Sequence, residues 1–203
     1  MRSTVTGGTT EERRRWRLPG GPALPPGPGL GQLLRARWPA ADPSRWVRVR
    51  PLAPRHDALH REFLLRIEPE DARLRYGQFA RRLSPRDLAG LVAVQPGEVV
   101  LIALPPRFRA KAVLGVARAV PDRDGRSAEF GLLVRSDLKR RGIGAKLLRA
   151  LLAELAARGI AEAYGEVLHE NTPMLTLAKR LGATVGPGSH PVFARASFRL
   201  ARR

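Results

Sequence analysis

Residues 128–148 read AEFGLLVRSDLKRRGIGAKLL, and the succession of residue types within them decides the fold. Glu129 heads a strand whose apolar end is Leu132, Leu133 and Val134. A tight basic glycine loop follows, Lys139-Arg140-Arg141-Gly142-Ile143-Gly144. Leu147, Leu148, Leu151, Leu152 and Leu155 then recur at helical spacing and give one apolar face. A glycine loop that opens a helix presents unsatisfied backbone N–H groups and the positive end of the helix dipole to an anion. Gly142 and Gly144 let the backbone approach that anion closely. Three adjacent basic side chains favour a pyrophosphate over a single carboxylate.

The loop is not a P-loop, because no Gly-Lys-Ser/Thr stands at the required spacing. Nor does it follow the dinucleotide GxGxxG pattern, since position 147 is Leu. It resembles the acyl-CoA-binding motif of the GNAT N-acetyltransferases, Gln/Arg-x-x-Gly-x-Gly/Ala between the fourth strand and the third helix. Here Lys139 stands where that family usually has Gln or Arg. The segments AEFGLLVRSDLKRRGIG, GEVLHEN and NTPMLTLAKRLGA are similar to the acetyltransferase domain of the Pat-type protein lysine acetyltransferases, over residues 128–183. The resemblance implies an α+β GNAT fold: a mixed central sheet flanked by helices, with a splayed strand pair holding acetyl-CoA as co-substrate. It implies that Leu132, Leu133 and Val134 pair with the pantetheine arm, and that Arg140 to Ala145 hold the pyrophosphate, with Lys139 alongside. It also implies that Asn171 hydrogen-bonds the cofactor.

Acyl transfer to an amine needs a neutral nucleophile. A lysine of pKa near 10.4 is only about 0.04% neutral at pH 7, so a base or a depressed pKa is required. Glu129 and Glu166 each lie in a strand expected to flank the cofactor. The Pat resemblance implies Glu129 as the base, other GNAT branches place a base nearer Glu166, and either carboxylate could instead pair with an arginine. Many GNAT enzymes carry an acidic tyrosine on the last helix, and Ala178 occupies that position here. With no cysteine in the chain, direct transfer is expected rather than an acyl-enzyme.

The 203 residues suit one domain plus an extension. Residues 1–45 are rich in Gly, Pro and Arg and read as a disordered basic arm. Residues 46–203 read as the catalytic domain. No apolar run approaches a membrane-spanning length, and no signal-peptide segment follows Arg13-Arg14-Arg15, so the cytoplasm is the expected compartment.

Along the domain, strands are expected at Trp46–Arg50, Glu98–Leu104, Ala112–Val120, Ala163–Leu168 and Val192–Leu200. Helices are expected at Arg55–Ile67, at Pro69–Tyr76, after Ser84-Pro85, and after Asn171-Thr172-Pro173 with Thr172 as the cap. His56 and His60 stand one turn apart, but no third ligand is evident, and an ordinary helix surface rather than a metal site is expected.

The formal net charge of +19 favours phosphorylated ligands and acidic partners. The expected activity is transfer of an acetyl group from acetyl-CoA to a primary amine, a protein lysine first and on a net-acidic protein. A small-molecule amine, an N-terminal amine, or a non-catalytic basic module binding nucleic acid through the arm are the alternatives.

Overall fold

A computed structural model describes residues 46–76, 92, 94–106 and 112–200. The arm at 1–45 and the helix expected after Ser84 lie outside the described residues. The strands are β1 (Arg48–Pro51), β2 (Val99–Leu104), β3 (Gly115–Pro121), β4 (Ser127–Val134), β5 (Glu162–Leu168), β6 (Thr184–Pro187) and β7 (Phe193–Arg199). The helices are α1 (Asp57–Leu65), α2 (Pro69–Tyr76), α3 (Ile143–Ala157) and α4 (Thr172–Arg180). One mixed sheet has the order β1-β2-β3-β4-β5-β7-β6, and its β4–β5 pair is parallel.

Every residue of β2 is buried, because the sheet is covered on both faces. Val99, Leu101 and Ala103 turn to one cluster, with Leu147, Leu148, Leu151 and Leu155 of α3. Val100, Ile102 and Leu104 turn to the other, with Phe63 and Leu64 of α1. The four α3 leucines are wholly buried. Each contributes roughly 1.5–3 kcal/mol through burial, so α3 is the element on which the sheet is assembled.

Several expectations need correcting. β1 starts later than the WVRVR run and ends on Pro51, which an edge strand tolerates because half its N–H groups face away from the ladder. β3 starts at Gly115, not Ala112. Asn171, not Thr172, caps α4: its Oδ1 accepts from the Met174 N–H at 3.2 Å. Strand β6 has no counterpart in the sequence reading, since its four residues TVGP carry no alternation long enough to register. His56 and His60 do not form a helix surface. His60 is buried against the sheet, and His56 closes a turn in which its Nδ1 accepts from the Ala53 N–H at 3.2 Å.

Candidate active site

Strands β4 and β5 are paired only over Ser127–Glu162, Ala128–Ala163 and Glu129–Tyr164. Beyond that point β4 keeps β3 as its partner through Val134, and β5 keeps β7 through Leu168. The two strands therefore part at Glu129 and leave a wedge-shaped opening. Along the β5-facing edge of β4, from Phe130 to Val134, backbone N–H and C=O groups have no strand partner. Leu132, Leu133 and Val134 lie along that edge.

The basic loop closes the wide end of the wedge. Arg140 and Gly142 both adopt positive φ, 57° and 76°, which brings the chain sharply round into α3. Gly142 is the helix N-cap and no side chain caps it. The first i→i−4 bond runs from the Lys146 N–H to the Gly142 carbonyl, so the N–H groups of Ile143, Gly144 and Ala145 have no helical acceptor. Ile143 and Gly144, read from the sequence as loop, are the first residues of α3, and the Ile143 side chain is buried and anchors the turn. An added Cβ at Gly144 would stand 3.4 Å from Leu132 and 3.4 Å from Leu177. The helix N-terminus thus opens between β4 and α4, where a phosphate entering the wedge would meet it. Arg140 and Arg141 are exposed beside it.

Lys139 is placed differently from the other loop residues. Its ammonium pairs with the buried Asp71 of α2, which also accepts from Ser136 Oγ at 2.5 Å. Farther along α2, Arg73 donates to Glu70 at 2.6 and 2.8 Å and to Glu170 in the turn after β5. Helix α2 is therefore tied at one point to the chain leaving β4 and at another to the chain leaving β5, and it bridges the parted strands. The sequence reading missed this bridge, because the ties join residues far apart in the chain. Replacing Asp71 with Ala removes the shared acceptor of both contacts in the β4-side tie. We expect the unfolding free energy to fall by about 1–2 kcal/mol, read from the urea midpoint, and an unchanged midpoint would show that the tie contributes nothing.

Strand alternation puts Glu129, Tyr164 and Glu166 on the sheet face opposite α3. Glu129 is half-buried at the apex of the wedge. Glu166 lies two residues beyond Tyr164 on β5 and is engaged: it accepts from the Ser189 N–H at 3.0 Å and from Ser189 Oγ at 3.3 Å, and Arg195 approaches it at 3.5 Å. An added Cβ at Gly188 would stand 2.6 Å from its Oε2, so the β6–β7 connection folds directly onto this carboxylate. The Tyr164 hydroxyl donates to the Asp122 carboxylate at 3.0 Å, and the Arg195 guanidinium lies 3.5 Å from the centre of its ring. Asn171 stands at the end of the turn after β5 with its Oδ1 committed to the α4 cap. Ala178 is wholly buried, so that position supplies no proton donor.

On the same face as Glu129, the Arg75 guanidinium lies across β4 at Gly131. An added Cβ there would come within 1.8 Å of its Nη2. A glycine inside a central strand is a sequence signal of such a close approach. Beside it, burial first and then the charge of Arg118 hold His60 at a pKa of about 4, so it is neutral at physiological pH. Burial also pushes the Tyr76 phenol up.

The wedge, the uncapped helix start and the apical carboxylate together make a candidate site for an acyl thioester. The sequence model of the Acetyltransferase (GNAT) family matches residues 56–183, more than half of the chain. The chain belongs to the GNAT acetyltransferase family. As a GNAT enzyme it is an acyl-CoA-dependent N-acetyltransferase. Solved structures with similar folds include the GNAT domain of S. lividans PAT, at 23% identity and a TM-score of 0.65 over 76% of this chain and 90% of that one. Spermidine N-acetyltransferase from Vibrio cholerae, in complex with CoA and spermine, is 13% identical at a TM-score of 0.61, over 78% of this chain and 98% of that one. The putative acetyltransferase yncA from Salmonella typhimurium, with its cofactor acetyl-CoA, is 17% identical at 0.55, over 77% and 95%. Among the described residues no helix is long and apolar enough to cross a membrane, and no group of three or more His, Asp or Glu is placed to hold a metal ion.

Proposed function

We propose that this GNAT enzyme acetylates lysine side chains on net-acidic proteins in the cytoplasm, with Glu129 as general base. The observation that carries the reading is the parting of β4 and β5 at Glu129: it sets one carboxylate at the point where an extended thioester in the wedge would end. The pyrophosphate then rests on the N–H groups of Ile143, Gly144 and Ala145, with Arg140 and Arg141 adding charge. Lys139 serves to hold the loop through Asp71. The pantetheine arm runs along the open edge of Leu132, Leu133 and Val134, and Asn171 donates from its amide nitrogen on the opposite wall.

The acceptor amine is deprotonated by Glu129 and its nitrogen bonds to the thioester carbonyl carbon. A backbone N–H of β4 holds the developing oxyanion. The C–S bond breaks, and CoA leaves as a thiolate that takes its proton from solvent, since Ala178 offers none. Glu166 is the alternative base, and its oxygens accept from Ser189 and Arg195.

The choice of an acidic acceptor protein rests on charge. At +19 the enzyme repels lysine-rich tails and polyamines within the ~8–10 Å over which charges act at ordinary salt, and attracts acidic surfaces. Incubating the protein with labelled acetyl-CoA and a cell lysate, then mapping the modified lysines, tests this. We expect acidic proteins to dominate, and their modification rates to fall several-fold as salt rises from low to physiological strength. Labelling confined to histone-like tails or to polyamines would overturn the assignment.

A further inference from the structure

Helix α2 is held beside the wedge by polar contacts more than by an apolar core. It packs against both β4 and β5. Its buried residues are Asp71 and Ala72, neither of them in an apolar cluster, and Tyr76 at its last position packs only in part on the α1 cluster. A helix of eight residues has little stability of its own, so its ties decide where it lies. Those ties are unequal. On the β4 side the Asp71 side chain is only 8% exposed, and it accepts from Lys139 and from Ser136 Oγ. Parting Lys139 from it would strand a buried charge. On the β5 side Arg73 reaches Glu170, whose side chain is 54% exposed. An exposed ion pair contributes little and parts readily. When it parts, the Arg73 guanidinium keeps Glu70 at 2.6 and 2.8 Å, so the change strands nothing. Glu170 stands immediately before Asn171, the cap of α4.

We propose that α2 is a strap latched across the wedge by Arg73 and Glu170, which opens to admit acetyl-CoA and closes over the pantetheine arm once the arm is seated. The proposal rests on the acyl-CoA reading of the wedge. Beyond Glu129 the strands β4 and β5 share no ladder, so an enclosure on the face opposite α3 has to come from another element. Helix α2 spans that gap, from the chain leaving β4 to the chain leaving β5. The buried Asp71 contact is the pivot, because it is the costlier one to break. The exposed Arg73–Glu170 contact is the latch, because Arg73 gives up one of two carboxylates and stays paired. Closure shields the thioester from water and slows the loss of the cofactor. Arg73 and Glu170 are thus positioning residues: they govern how fast the cofactor enters and leaves, and touch no reacting atom.

The chain contains no cysteine, so a thiol pair can be placed at the latch alone. Arg73→Cys combined with Glu170→Cys, joined by a short reducible thiol cross-linker, fixes α2 to the turn after β5. Stopped-flow binding of acetyl-CoA to the full-length protein tests the proposal. We expect association to be at least about tenfold slower in the cross-linked variant than in the same variant before cross-linking. Cross-linking with acetyl-CoA already bound should slow its release by a similar factor, and a reductant should restore both rates. Glu170→Ala opens the latch without any cross-link and should quicken release at least about threefold, with single-turnover transfer from bound acetyl-CoA unchanged. An ion pair that only supports the fold would shift the melting temperature and leave the release rate alone. Unaltered association and release in the cross-linked protein, or unaltered release in Glu170→Ala, overturns the proposal while leaving acetyl transfer standing. Failure of the unaltered protein to bind acetyl-CoA overturns the reading of the wedge and this proposal with it.

Discussion

Gly142→Asp should lower acetyl-CoA affinity at least a hundredfold in a calorimetric titration, a loss of about 2.7 kcal/mol or more. Gly142 caps α3 at φ 76° with no side chain of its own, and the N–H groups that follow it have no helical acceptor. Asp tolerates left-handed backbone better than most residues, and it is a good N-cap, so the substitution leaves the helix intact. Its carboxylate would then accept the N–H groups that the pyrophosphate needs, and would add a negative charge where two phosphates approach. Gly159→Ala is the control: Gly159 also has positive φ, at 80°, but stands at the far end of α3. It should cost stability and leave affinity unchanged. Unchanged affinity in Gly142→Asp would mean that the cofactor does not use this loop.

Glu129→Gln should lower kcat by about 100- to 1000-fold with acetyl-CoA affinity unchanged within about twofold, the loss typical of a removed general base. The amide keeps the size and hydrogen-bonding reach of the carboxyl group but cannot take the amine proton. The acid limb of the pH–rate profile should vanish with it. Glu166→Gln should behave differently, because its carboxylate holds Ser189 and Arg195. It should loosen the β6–β7 connection and lower the unfolding temperature, with a smaller effect on kcat. If Glu166→Gln abolishes turnover and Glu129→Gln does not, the roles of the two carboxylates are exchanged.

Much of this enzyme is legible along the chain, for reasons of local physics. The Leu147–Leu155 stripe, the continuous apolar run of β2 and the glycine loop each carry their signal within a dozen residues, and short-range sterics and burial read them in one way. Boundaries were less legible. Pro51 joins a strand because that strand is an edge, and His60 is buried because α1 lies against the sheet. Neither fact is written in the neighbouring residues.

The sequence by itself determined the resemblance to the GNAT family, through the motifs of residues 128–183, and the positions of a basic glycine loop at Lys139–Gly144 and of two strand carboxylates, through residue type and spacing. Only the tertiary structure shows where each candidate stands. It parts β4 from β5 at Glu129, binds Glu166 into the turn carrying Ser189, and turns Lys139 away from the loop mouth onto Asp71. It also lays Arg75 over Gly131. These outcomes depend on contacts between residues 23 to 68 positions apart, made when α2 folds back over the sheet and the β6–β7 connection folds onto β5. Side-chain pairing at such separations follows from the packed geometry of the layers, which no local pattern in the chain encodes.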